Sequence, residues 1–216
     1  MRKFKVFFLV VVGILFGGGV FGSGITLEAS TFTPDPGTTV SLFVRGAPVG
    51  ATFRWDLDGD GIFEHTTAEP QVTLSVSEGM KLVRVEVARD GKTLAQSALA
   101  LVSDRRLGAA RLVLSEGTSY LVTITVGGKT TLIAPGFVED IPAGFAVEVV
   151  ADGGAFWRRA EKLEVVWPVI LDPGQTLTFT YRLSPPAGAT FQFAGMVSAY
   201  VEGRRVEIPI AGVIHP

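Results

Sequence analysis

The sequence predicts an all-β protein: two antiparallel β-sandwiches in tandem behind an N-terminal export signal. Two observations carry most of that prediction. Apolar and polar residues alternate with a period of two through most of the chain beyond residue 24, as strands do when one face lies in a core and the other in water. The dipeptides Asp90-Gly91, Gly127-Gly128 and Glu202-Gly203 punctuate those runs, and each supplies the positive φ that a tight hairpin needs. A third observation is negative: only residues 155–164 offer a short helical turn, and they lack a sustained apolar stripe.

The elements follow in chain order. Arg2, Lys3 and Lys5 form a basic start, residues 6–16 are nearly unbroken apolar sequence, and a Gly-rich stretch follows. That is the layout of a signal peptide over residues 1–22, with Val20-Phe21-Gly22 or Gly22-Ser23-Gly24 as cleavage site. The competing reading is an uncleaved anchor, which would be the protein's one contact with a membrane. Four glycines dilute that stretch, and it barely reaches the roughly 20 residues a spanning helix needs. The chain has no cysteine, which excludes both a lipid-bearing cysteine at the cleavage point and any disulfide.

Beyond the signal, Val40, Leu42 and Val44 alternate with polar neighbours. So do Phe53, Trp55 and Leu57; Val72, Leu74 and Val76; and Val83, Val85 and Val87. The pattern resumes with Val122, Ile124 and Val126, then Leu177, Phe179, Tyr181 and Leu183, and closes with Val206, Ile208 and Ile210. The polar, glycine-terminated stretch 103–108 divides the series, giving sandwiches over residues 24–104 and 109–216. Asp35-Pro36-Gly37 precedes the strand at Val40, and Asp172-Pro173-Gly174 precedes the strand at Leu177. In both, proline presets φ and glycine completes a turn into an alternating strand.

Composition excludes some functions. Without residues 1–22, Lys plus Arg falls from 19 to 16 against 21 Asp plus Glu, a formal charge of −5. A mildly acidic chain of mixed charge lacks the basic field that nucleic acid demands. There is no asparagine, so N-glycosylation has no acceptor; heat adaptation or genomic base bias would each produce that absence. The two histidines, His65 and His215, stand apart from any serine nucleophile motif, and neither Gly-x-Ser-x-Gly nor His-Glu-x-x-His occurs. The expectation is a protein without catalysis.

The most informative stretch is Trp55-Asp56-Leu57-Asp58-Gly59-Asp60-Gly61-Ile62-Phe63-Glu64. Taking Asp56 as position 1, Asp58, Asp60, the Ile62 carbonyl and Glu64 fall at 3, 5, 7 and 9 of a calcium loop, with Gly61 at 6 where the chain must turn. Position 12 is Thr67, and no helices flank the loop, so a full EF-hand is excluded. The expected cofactor is Ca²⁺, held by Asp56, Asp58, Asp60, Ile62 and Glu64. The alternative is turn chemistry alone, with aspartates capping amides, Gly59 and Gly61 permitting the bend, and Arg54 or Arg84 offsetting the charge.

Together with the Asp35-Pro36-Gly37 turn and the strand at residues 81–87, this stretch resembles the PKD repeat, a small immunoglobulin-like sandwich of extracellular proteins. The resemblance covers about 80 residues. It implies that Trp55 packs in the core and that the acidic loop lies at one end of the sandwich. Downstream, Val138-Glu139-Asp140-Ile141-Pro142-Ala143-Gly144-Phe145, then Trp167, then Leu171-Asp172-Pro173-Gly174 through Tyr181 are similar to a repeated bacterial and archaeal surface domain. That family also has an immunoglobulin-like sandwich and has no established activity.

These readings lead to a secreted or cell-surface accessory protein acting in adhesion, spacing or protein–protein contact. The competing class is a polysaccharide-binding module, with Trp157 beside Arg158 and Arg159 as ligand platform and Trp167 in the core. A third is a subunit of a surface layer or pilus-like assembly. The expected partners are protein or polysaccharide at the cell surface.

Overall fold

A computed structural model describes residues 24–214; the segment read as a signal peptide, 1–22, and His215 lie outside them. The described chain has no α-helix, and alternation becomes strand nearly everywhere it was expected. The first sandwich begins with β1 (Thr26–Ala29), β2 (Thr38–Arg45), β3 (Thr52–Asp56), β4 (His65–Thr67) and β5 (Gln71–Val76). It closes with the long hairpin β6 (Gly79–Arg89) and β7 (Lys92–Ser103). The second contributes β8 (Gly108–Glu116), β9 (Ser119–Gly127), β10 (Leu132–Asp140), β11 (Ala146–Ala151), β12 (Phe156–Arg159) and β13 (Lys162–Val166). β14 (Ile170–Leu171), β15 (Thr176–Ser184), β16 (Gly195–Val201), β17 (Arg204–Pro209) and β18 (Ala211–Val213) complete it.

Two buried apolar clusters form. In the first, Leu27, Val40, Leu42, Val44 and Val76 of the three-stranded sheet β1-β2-β5 meet Phe53, Trp55, Val83, Val85, Val87, Leu99 and Leu101 of the facing sheet. In the second, Val122, Ile124, Val126, Phe179, Tyr181 and Leu183 of one sheet meet Leu132, Phe137, Leu163, Val165, Val197 and Val201 of a six-stranded sheet, β12-β13-β10-β16-β17 with β14 beside β10. Every member of these lists stands in the inward phase of its strand, so burial and not local propensity selects strand here.

The two sandwiches share one nine-stranded sheet, in the order β11-β15-β9-β8-β18-β7-β6-β3-β4. β18 makes it continuous by pairing antiparallel with β7 (Gly212 opposite Ala100) and parallel with β8 (Gly212 opposite Arg111). Gly212 has φ +108°, and a Cβ there would collide with the carbonyl of Arg111, so only glycine lets the strand sit this close. The stretch 103–108 is therefore a short loop between two strands flanking β18, with the Arg106 side chain bonded to Asp104.

An ion pair lies inside the second core. The Arg111 guanidinium donates to both carboxylate oxygens of Glu139 at 2.8 Å and to the Val213 carbonyl at 3.0 Å. Its charge lies 4.9 Å from the Phe193 ring centroid, and the Tyr181 hydroxyl donates to Glu139 at 3.4 Å. Both ionic side chains are wholly buried. Burial raises the Glu139 carboxyl above its ordinary value, opposed by Arg111 and Tyr181. Gly195 opposite makes room, since a Cβ there would collide with the Glu139 carboxylate. Through Val213 the buried pair also holds β18, tying core to joint.

The turns divide. Asp90-Gly91 (φ +51° and +73°) and Glu202-Gly203 (+50° and +77°) close the β6–β7 and β16–β17 hairpins. Both Asp-Pro-Gly turns place glycine at φ +82° before β2 and β15. Gly127-Gly128 differs from expectation: β9 pairs with β8 and β15, and the chain crosses there to β10 in the other sheet. A Cβ on Gly128 would collide with the Arg106 carbonyl, so the glycines permit close backbone approach instead of a hairpin. Residues 155–164 hold no helical turn; β12 and the start of β13 lie there, because Leu163 and Val165 are needed in the core.

Candidate functional site

β3 delivers Asp56 fully buried at its end, and the chain loops through residues 57–64 before β4. The two oxygens of Asp56 accept the amides of Gly59 at 2.6 Å and Gly61 at 3.0 Å. Asp58 accepts the Asp60 amide at 3.2 Å, Asp60 accepts the Ile62 amide at 2.7 Å, and Glu64 accepts the Leu57 amide at 3.3 Å. The loop thus folds its own carboxylates inward over backbone donors. Both glycines are required: Gly59 has φ +81° with Leu82 Cβ 2.7 Å from where its own Cβ would stand, and Gly61 has φ +91°.

One oxygen from each of Asp56, Asp58, Asp60 and Glu64 lies within 4.8 Å of the others. Oxygens on a single Ca²⁺ sit about 2.3–2.6 Å from it and so at most about 5 Å from each other. Four hard oxygen donors at that spacing fit calcium, and carboxylate oxygens keep further lone pairs after accepting an amide. Ile62 lies in the same loop, its side chain exposed and its amide bonded to Asp60. Of the two arginines expected near the loop, Arg84 stands 3.8 Å from Asp56. Arg54 instead pairs with Glu86 at 2.8 Å and covers the Phe63 ring. A single half-exposed guanidinium offsets at most one of the four carboxylate charges.

The second place is a cleft of about 360 Å³ on the outer face of the six-stranded sheet, lined by Gly136, Val138, Phe156, Arg158, Glu164 and Ser198, among others. Trp157, the next residue on β12, lines the cleft too. Neighbours on a strand face opposite ways: Trp157 is in register with inward-facing Val165, whereas Phe156 and Arg158 are in register with outward-facing Val166 and Glu164. Phe156 is 70 % exposed and Trp157 46 %. Arg158 is ion-paired with Glu164, which holds that carboxyl below its ordinary value. Trp167 is buried, as expected of a core residue.

Sequence reasoning missed Phe156, the Arg158–Glu164 pair and the Arg111–Glu139 pair. A signal existed for the last. Arg111 stands in phase with Ala109 and Val113, and Glu139 with Phe137 and Ile141, so each is a charge in step with apolar residues.

No family model matches the chain, and no curated protein matches it. Solved structures do. The chitin-binding domain of Chi18aC from Streptomyces coelicolor is 23 % identical, the alignment covering 43 % of this chain and 91 % of that domain, with TM-score 0.34. The chitinase ChiA74 from Bacillus thuringiensis is 14 % identical over 84 % of this chain, with TM-score 0.38, and the chain spans 28 % of that enzyme. The major pilin SpaD from Corynebacterium diphtheriae is 13 % identical over 77 % of this chain and 61 % of that one, with TM-score 0.37. TM-scores this low have no bearing on ligand or activity.

Proposed function

We propose that the chain is an exported, non-catalytic binding and spacing protein of the cell surface, with its acidic loop closed around Ca²⁺. The observation that carries this reading is β18, which seats the end of one sandwich between strands of both and leaves a continuous sheet where a hinge would otherwise be. A spacer needs that fixed relation, since a flexible joint would let presented loops wander. Lack of catalysis is supported by how carboxylates are engaged: Glu164 in the cleft by Arg158, and Asp104 in the 103–108 loop by Arg106. A carboxylate held ionised by a cation is a poor proton donor, and a poor base as well. Export rests on the basic-then-apolar start of the sequence; among the described residues no helix is long and apolar enough to cross a membrane.

In the calcium-bound state Asp56, Asp58, Asp60 and Glu64 would hold the ion, and its charge would relieve repulsion among them. The absence of cysteine permits a clean test of the joint, with spin labels on Glu69→Cys and Glu161→Cys, exposed positions one in each sandwich. A single narrow distance distribution is expected; a broad one overturns the spacer reading. Export is tested by adding protease to intact cells expressing the whole chain. Digestion from outside is expected, and full protection contradicts it.

A further inference from the structure

We propose that the cleft on the outer face of the six-stranded sheet binds a neutral polysaccharide, with Phe156 as the platform for a sugar ring. The inference rests on the reading of the chain as a binding protein and names the ligand class of one surface.

The cleft is built by backbone. Along β10, Ile133 lies opposite Tyr200 but Gly136 lies opposite Ser198, so one extra residue is accommodated there, a β-bulge. Ala134 takes φ +47° at this point, a conformation costly for a residue with a Cβ and concentrated at functional sites. Past the bulge a row of side-chain positions crosses five strands: Phe156, Val166, Gly136, Ser198 and Glu207. Large groups stand on one side of it and two small ones in the middle, which makes a trough. Its 360 Å³ is at the small end of the range of ligand pockets, roughly 300–1,000 Å³.

The lining selects the ligand. Phe156 offers an open ring face, and apolar C–H faces of pyranoses are the flat, weakly hydrated surfaces that such a ring covers. One row along, Arg158 supplies donors and Glu164 acceptors, and Ser198 supplies both. Arg158 offsets Glu164 and Arg205 offsets Glu207, so the trough has no net charge to select an anion or a cation. It suits a neutral ligand rich in adjacent hydroxyls. A second copy of this chain is a poorer occupant, because a dry contact would strip water from Arg158 and Glu164. An added peptide strand would take the open edge of β12, leaving the face untouched.

The test is calorimetric titration of the mature chain with hexasaccharides of glucose, mannose, xylose and N-acetylglucosamine, with a hexagalacturonate as anionic control. The account expects at least one neutral hexasaccharide to bind. Phe156→Ala should weaken it by about tenfold or more, and by more than Trp157→Ala does. Ser198→Tyr, which fills the trough, should abolish binding, with circular dichroism confirming that each variant is folded. Failure of every neutral sugar to bind at millimolar concentration overturns the proposal, as does preference for the galacturonate. Loss in Trp157→Ala but not in Phe156→Ala overturns the assigned platform. None of these failures would disturb the label-distance result, which tests the spacer reading independently.

Discussion

In the first sandwich the wholly buried charge, Asp56, stands at the end of a strand, where four carboxylates gather in a loop. In the second an arginine and a glutamate lie in the middle of the core, while Phe156, Ile170, Ile133 and Tyr200 face water. The difference teaches where each half is specific. An apolar core needs only volume and phase, so the first sandwich concentrates its chemistry in one loop. The second uses a buried pair with a single geometry to fix β18 and leaves a sheet face open for contact. Buried ion pairs are seldom a net source of stability; here the pair sets position.

The sharpest way to break that comparison is Arg111→Met. It strands Glu139 without its cation, and urea unfolding should show a loss of about 3–5 kcal/mol. Arg111→Met with Glu139→Leu should recover most of it, because no charge is then left buried. A single variant within about 1 kcal/mol of the parent would mean that the pair is no more than decoration. Next comes Gly212→Val, which forces a Cβ against the Arg111 carbonyl at positive φ. A cost of about 1–3 kcal/mol is expected, with one thermal transition splitting into two as the sandwiches uncouple.

Calcium sharpens the other side. At ten times its dissociation constant the ion adds about 1.4 kcal/mol, read as a rise in melting temperature that chelator removes. Asp60→Ala should abolish the rise, and an unchanged midpoint across millimolar calcium would reduce the loop to turn chemistry. A smaller effect follows from Glu86, whose carboxyl is held below its ordinary 4.5 by a hydrogen bond from Gln96 and, against the cost of burial, by Arg54. A lowered folded-state value means that stability is present above about pH 4.5 and falls as acid protonates the group. Glu86→Gln should flatten that part of the stability–pH curve. Smallest is Arg45→Ala, which breaks an exposed pair with Glu28 and should change stability by no more than about 0.5 kcal/mol.

Much of the fold was legible because alternation is a local signal. Val40, Leu42 and Val44, or Phe179, Tyr181 and Leu183, announce their inward face without knowledge of the partner strand. The acidic loop was legible for the same reason, since its carboxylates and glycines lie within nine residues of one another. β18 was not, because three residues show no period, and its place depends on two strands about a hundred residues upstream. Gly127-Gly128 has the composition of a hairpin yet serves a sheet crossing; glycine reports backbone freedom and not the direction the chain takes. Trp157 drew attention by its size, while register with Val165 and Val166 made Phe156 the outward ring.

The joint at β18 is the claim on which the spacer reading stands, and hydrogen exchange on the whole chain tests it most directly. Amides of residues 211–213 should exchange as slowly as those of β7 and β8, in which they are embedded. Exchange at the rate of a frayed terminus would contradict the continuous sheet.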